Sequence, residues 1–314
     1  MMPDRPKCVI ITGPTASGKT RVSVELAKVF RGEVINADSM QIYSEMMIGT
    51  ARPTEEEQQG IPHHLFGHVR PDEPYNVSLY RSDAENEINR LIAINKLPII
   101  AGGTGLYINS LIYDLDFSNE TDKDLRSRFE KIYDSENGPE TLYRQLQELD
   151  PDAAERIHIN DKKRLIRRLE ILNTNGSKDY DFYRKQEKYD FLIIAITKDR
   201  EELYGDIEKR IDIMMYNGLE EEAHDLYIKY GEGINAFAAI GYKEFIPYFN
   251  GQCSLNDVVT EIKKNTRHLA KRQITWFKKN NDIKWFNYTE YNHDLHTMLS
   301  DIISNVRNFI DKGK

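Results

Sequence analysis

Eight residues, Gly13-Pro14-Thr15-Ala16-Ser17-Gly18-Lys19-Thr20, have the types and spacing of a phosphate cradle, G-x-x-x-x-G-K-[ST]. Amides at a helix start point at an oxyanion, glycines let the backbone wrap close to it, Lys19 adds a cation, and the Thr20 hydroxyl can hold Mg2+. A carboxylate, Asp38, ends the run Val34-Ile35-Asn36-Ala37. It is the candidate general base, able to take a proton from a nucleophile or to help hold Mg2+ directly or through water. Capping a following turn is the other use of an Asp-Ser pair at such a position. Thr104, in Gly102-Gly103-Thr104-Gly105, offers a hydroxyl to a phosphate or substrate, or a cap to the helix that follows.

These residues need elements that bring them together. The cradle follows the apolar run Cys8-Val9-Ile10-Ile11-Thr12 and precedes a helical pattern over 21–30, the strand, loop and helix that its mechanism requires. Further strand patterns lie at 33–37, 97–101, 191–196 and 283–286, with helical stretches between them, which predicts an α/β fold with a parallel sheet covered by helices on both faces. In such sheets ligands bind outside the carboxyl ends of the strands, so the phosphate loop, Asp38-Ser39 and the turn 102–105 are expected to converge. From 118 to 188 the strand runs give way to amphipathic patterns, Leu125, Phe129 and Ile132, then Leu142, Leu146 and Leu149, then Leu165, Leu169 and Leu172. The expected organisation is a discontinuous core domain, 1–117 with 189–314, and an inserted helical domain, 118–188.

Composition narrows the function. With 314 residues and 39% hydrophobic content the chain can bury a sizeable core. It has neither an apolar run of the roughly 20 residues a span needs nor a signal-peptide core, so a soluble, cytoplasmic protein that binds no membrane is expected. Cys8 and Cys253 are too few and too far apart for a disulfide framework or a metal-ligand spacing. Adjacent His63 and His64, with His68 nearby, lack partner cysteines and read as a loop packed beside the site rather than a zinc centre. The run 97–101 enters its glycine turn without an acidic residue, which argues against an ATP-hydrolysing machine. A net charge of -8 argues against indiscriminate nucleic-acid binding, yet basic residues cluster at 156–168 and 263–279. In the second cluster Lys263, Arg267 and Lys271 repeat every four residues, with Ile262, Leu269 and Trp276 on another face, as suits a helix that packs on one side and meets RNA phosphates on the other.

Taken in order, Gly13 to Thr20, Asp38-Ser39-Met40-Gln41-Ile42-Tyr43, Ile48-Gly49-Thr50-Ala51-Arg52-Pro53, Pro62-His63-His64-Leu65, Gly102-Gly103-Thr104-Gly105-Leu106-Tyr107, Asp161 with Arg164 and Arg168-Leu169-Glu170, Gly241-Tyr242-Lys243-Glu244 and Lys271-Arg272-Gln273-Ile274-Thr275-Trp276-Phe277 closely resemble the tRNA dimethylallyltransferases, also called tRNA isopentenyltransferases. These motifs span nearly the whole chain. The resemblance implies a P-loop NTPase-like core and transfer of a dimethylallyl group from dimethylallyl diphosphate to the exocyclic amine of the adenine 3' of a tRNA anticodon. The loop 13–20 would then hold the diphosphate leaving group, with Mg2+ as cofactor and Thr20 as its protein ligand. It implies further that Asp38 acts as base, that Thr104 and Arg126 belong to the substrate site, and that Asp38, Ser39, Met40 and Gln41 meet the target nucleotide. Asn160, Asp161, Lys162, Lys163 and Arg164, with Gly241, Tyr242, Lys271, Arg272, Gln273, Trp276 and Lys278, would contact the anticodon stem-loop. A monomer is expected. Met40 departs from a position that is often basic in the family, and 175–188 matches it loosely. On the residues alone, an ATP-dependent small-molecule kinase and a non-catalytic RNA-binding module also fit.

Overall fold

The computed structural model describes residues 5–115, 123–175 and 184–312. In chain order the elements are β1 (Lys7–Thr12), α1 (Lys19–Phe30), β2 (Gly32–Asn36), α2 (Glu55–Gln58), β3 (His63–His64), α3 (Val77–Ala93), β4 (Leu97–Ala101) and α4 (Gly105–Ile112). Four helices follow, α5 (Lys123–Tyr133), α6 (Gly138–Leu149), α7 (Pro151–Arg156) and α8 (Lys162–Asn175). The chain continues with β5 (Asp190–Thr197), α9 (Arg200–Tyr216), α10 (Leu219–Tyr230), α11 (Ile246–Phe249), α12 (Leu255–Phe277), β6 (Lys284–Asn287) and α13 (Leu295–Asp311). Two compact units result, Met1–Ile112 with Gln186–Lys314, and Tyr113–Lys185.

The first unit is built on one six-stranded sheet of order β3-β2-β4-β1-β5-β6, every pairing parallel. Its inner strands read as unbroken apolar runs because both faces are covered. Val9, Ile11, Val34, Ile99, Ile194 and Ile196 pack with Val22 and Leu26 of α1 and with Met298, Ile302 and Val306 of α13, all buried. Burying each such side chain contributes about 1.5–3 kcal/mol. The register matters for function. Ile11 pairs with Ala101, which pairs with Asn36, so β1, β4 and β2 end abreast on one edge of the sheet.

One strand is not legible in the sequence. His63 and His64, expected in a loop, form β3 against Val34 and Ile35, and two residues are too few to show a period of two. His64 Nε2 lies 2.7 Å from Glu33 Oε2, and Arg90 Nη2 lies 3.3 Å from the same oxygen, an ion cluster at the sheet edge. The segment that follows β3 does reach the site, since Gly67 N donates to Gln41 O at 3.0 Å.

The second unit is helical, as its amphipathic spacing predicts. Phe129, Leu142, Leu146, Leu165 and Leu169 form its buried centre, with Leu125, Ile132, Leu149 and Leu172 packed against them. Asp150 caps α7 through Ala153 N at 3.0 Å and accepts Arg168 Nε at 2.6 Å. Among the described residues no helix is long and apolar enough to cross a membrane.

Candidate active site

Three loops leave the aligned strand ends and are tied together by hydrogen bonds. The phosphate loop curls over Lys19, whose Nζ donates to Gly13 O at 3.1 Å and Pro14 O at 2.7 Å. Lys19 is half-buried; desolvation lowers its ammonium to about 8, opposed by the Asp38 charge and assisted by Arg210 of α9. Arg210 is itself lowered by burial, with Glu57 and Asp206 opposing. Arg210 thus lies near enough to Lys19 for their like charges to interact. Ser17 Oγ is buried there with no hydrogen-bond partner, an orphan that an oxyanion would satisfy.

Asp38 is fixed from both sides. The fully buried Asn36 accepts Asp38 N at 2.8 Å on Oδ1, and its Nδ2 donates to Asp38 O and Leu65 O, each at 3.0 Å. Asp38 Oδ1 accepts Met40 N at 2.9 Å. Thr104 lies across this turn and serves it: its Oγ1 accepts Ser39 N at 2.9 Å and donates to Ser39 Oγ at 3.2 Å, while Thr104 N donates to Ala37 O at 3.1 Å. In this structure the Thr104 hydroxyl positions Ser39. Gly102 N donates to Ile11 O at 3.1 Å, and a side chain at Gly102 would overlap the Ala37 backbone, so only glycine lets β4 end this close to the Asp38 turn. Tyr107 of α4 stacks on Tyr80 at 3.9 Å, and burial first, then Tyr43 and Asp38, raises its ionisation, which puts a neutral aromatic wall beside the carboxylate.

Comparison with known proteins decides the family. The family model described as IPP transferase matches residues 41–280, and that described as isopentenyl transferase matches residues 6–66. The tRNA dimethylallyltransferase of Alkaliphilus oremlandii is 48% identical over 290 residues, 91% of this chain and 92% of its own. That of Bacillus anthracis is 45% identical over 290 residues, with 91% and 92% covered. The chain belongs to the tRNA dimethylallyltransferase family. The crystal structure of a tRNA isopentenylpyrophosphate transferase from Staphylococcus epidermidis superposes with a TM-score of 0.72 at 38% identity, covering 97% of this chain and 100% of that one. A eukaryotic dimethylallyltransferase acting on tRNA superposes with a TM-score of 0.81 at 30% identity, covering 96% and 80%. The P-loop NTPase-like fold expected of a dimethylallyltransferase is the fold observed.

Several residues expected to meet RNA in a dimethylallyltransferase are used otherwise. Tyr242 is fully buried, its hydroxyl donating to Glu222 Oε1 at 2.6 Å, and burial followed by Glu222 holds the phenol neutral well above its ordinary range. Its side chain is core, not RNA surface, because a buried phenol needs an internal acceptor. Gly241 N is likewise bound, to Glu244 Oε2 at 2.8 Å. Gln41 Nε2 donates to Thr50 O and Ala51 O at 2.9 and 3.0 Å, stapling its own loop. Gln273 points inward: its Oε1 accepts Thr15 N at 2.9 Å and its Nε2 donates to Gly103 O at 3.0 Å. Trp276 is half-buried, whereas Lys271, Arg272 and Lys278 are exposed.

The basic strip of α12 is split. Lys263 pairs with Asp212 at 2.6 Å, Arg267 with Glu208 at 2.6 Å and Lys264 with Glu261 at 3.0 Å, while Lys271, Arg272, Lys278 and Lys279 have no ion pair among the described residues. In the helical unit Asn160 and Lys163 are exposed, Lys162 pairs with Asp134 at 2.6 Å, and Asp161 Oδ1 accepts Arg164 N at 3.2 Å at the start of α8. Arg126 also lies in that unit, with its Nε 3.4 Å from Glu130 Oε1 and 3.9 Å from Glu170 Oε1. Sequence reasoning missed Arg210, Asn36 and Glu222. Asn36 alone left a trace, a polar residue inside an otherwise apolar strand.

Proposed function

We propose that this chain transfers a dimethylallyl group from dimethylallyl diphosphate to the exocyclic amine of the adenine immediately 3' of a tRNA anticodon, releasing diphosphate. The observation that carries this reading is the alignment of β1, β4 and β2, which sets a phosphate cradle with its Lys19 abreast of a pinned carboxylate. The amine nitrogen attacks the allylic carbon of the donor, the carbon-oxygen bond breaks, and its electrons leave with the diphosphate. Loop amides and Lys19 meet that negative charge, the electrostatic contribution that dominates reactions of this kind. Asp38 accepts the amine proton. An adenine amine is a weak nucleophile, so a held base contributes about 10²–10⁴ in rate.

A divalent ion fits the donor set. Among the described residues the half-buried Thr20 hydroxyl makes no hydrogen bond, and it directly follows Lys19 of the phosphate loop. That combination suits Mg2+, which favours oxygen, keeps several waters and is held largely by substrate phosphates. Thr20, with Asp38 as a further oxygen donor, directly or through water, would hold it, and the bound ion would neutralise charge on the leaving group. The exposed cations of α12 and Lys163 would meet tRNA phosphates. The target base leaves its loop stack to reach Asp38 at a cost of a few kcal/mol.

Asp38→Asn tests the assignment, because it keeps the shape and removes the base. Turnover is expected to fall by at least about a hundredfold while tRNA affinity stays within a few-fold. Retention of most turnover would remove Asp38 from the chemistry.

A further inference from the structure

The Gln273 side chain of α12 hydrogen-bonds both halves of the site. Its Oε1 accepts Thr15 N at 2.9 Å, across 258 residues of chain, and its Nε2 donates to Gly103 O at 3.0 Å. Gly103 precedes Thr104, which holds Ser39 and with it the Asp38 turn. The amide therefore joins the phosphate loop, where the donor's diphosphate would sit, to the turn that carries the base. The same contact shows in the space at Gly103. A Cβ there would overlap the Gln273 amide, so the glycine is the socket of this side chain. Close to it in sequence, Lys271 and Arg272 of the same helix and Lys278 just past its end stand exposed.

Resting on the proposed prenyl transfer, we infer that Gln273 is a positioning residue that sets the distance between the diphosphate cradle and Asp38, rather than a contact to tRNA. The amide is suited to this because one end accepts and the other donates, matching an N–H on one loop and a carbonyl on the other. Loss of that registration misplaces donor carbon and acceptor nitrogen. A misplacement on the order of 1 Å costs about a hundredfold in rate, with little effect on either ligand alone.

Two variants test it. Gln273→Met keeps volume and removes both hydrogen bonds. Gln273→Glu keeps the acceptor for Thr15 N and sets a carboxylate oxygen against Gly103 O, a clash that protonation converts back into a donor. Gln273→Met is expected to lower kcat about ten- to hundredfold. The dissociation constants for inorganic diphosphate and for an anticodon stem-loop should stay within about threefold of wild type on the same grounds. Gln273→Glu should lose as much at neutral pH and regain part of it as pH falls, while wild type does not. In Gln273→Met, which frees Thr15 N, hydrogen exchange should rise in the peptide 13–20 and in that spanning 102–105, a readout that stands even if the wild-type protein prenylates nothing. A tenfold loss of stem-loop affinity with kcat intact would make Gln273 an RNA contact and overturn the inference. Unchanged exchange in both peptides would overturn it as well.

Discussion

Glu222 of α10 carries an unusual share of the loop that frames Asp38. Its carboxylate accepts Met47 N at 2.9 Å, Ile48 N at 2.9 and 3.0 Å, Gly49 N at 3.0 Å and the Tyr242 hydroxyl at 2.6 Å. Glu222→Gln preserves size but leaves one acceptor oxygen and introduces an N–H2 donor. The Tyr242 hydroxyl can turn to accept from that group; the backbone amides cannot. At least one amide, formerly bound to a carboxylate, then faces a donor. The amide lost at least cost is the exposed Met47 N, and a hydrogen bond to a charged group contributes about 1.5–3 kcal/mol, so the predicted loss is about 1.5–3 kcal/mol. Both tryptophans, Trp276 and Trp285, lie in the sheet-bearing unit, so urea unfolding followed by their fluorescence reports this unit. A double-mutant cycle with Tyr242→Phe should show coupling of at least about 0.5 kcal/mol. A loss below about 0.5 kcal/mol, the range of an ordinary surface substitution, or strict additivity, would refute the assignment of Glu222 as the anchor of 47–49.

Three further outcomes are expected. Burial holds the Lys19 ammonium at about 8, so it is charged below that pH and neutral above it; diphosphate affinity should weaken as pH rises through about 8, and titration calorimetry of Lys19→Met should lack that fall. Gly102→Ala forces a methyl into the Ala37 backbone and should cost more than about 3 kcal/mol in urea unfolding, well beyond the loss expected of a surface glycine. Lys271→Glu with Arg272→Glu should weaken tRNA binding at least about tenfold and flatten its salt dependence by about one phosphate contact per residue, leaving diphosphate binding unchanged.

What was legible follows from range. The strands β1, β2, β4 and β5 announce themselves because both faces are buried and their central residues are mostly apolar, and the phosphate loop because its spacing is local. Asp38 is legible by its place at a strand end. The partners that organise it are not. Gln273 reaches Thr15 across 258 positions and Glu222 reaches Ile48 across 174, and no local pattern encodes which distant amide a side chain will meet. Charge misleads for the same reason: Lys263 and Arg267 belong to the basic strip in sequence, yet Asp212 and Glu208 of α9 neutralise them in space. Tyr242, placed near an aromatic-rich basic stretch, is drawn into the core by the acceptor that Glu222 provides.

The central claim is that the phosphate loop holds a leaving group and that no phosphoryl group is transferred. Incubating the wild-type protein with unmodified tRNA, Mg2+ and dimethylallyl diphosphate, then digesting the tRNA for mass spectrometry of its nucleosides, tests this directly. One dimethylallyl group on the adenosine beside the anticodon, with one diphosphate released per transfer and no requirement for ATP, is the predicted result. An unaltered adenosine, or a product that forms only with ATP and carries phosphate, would contradict it.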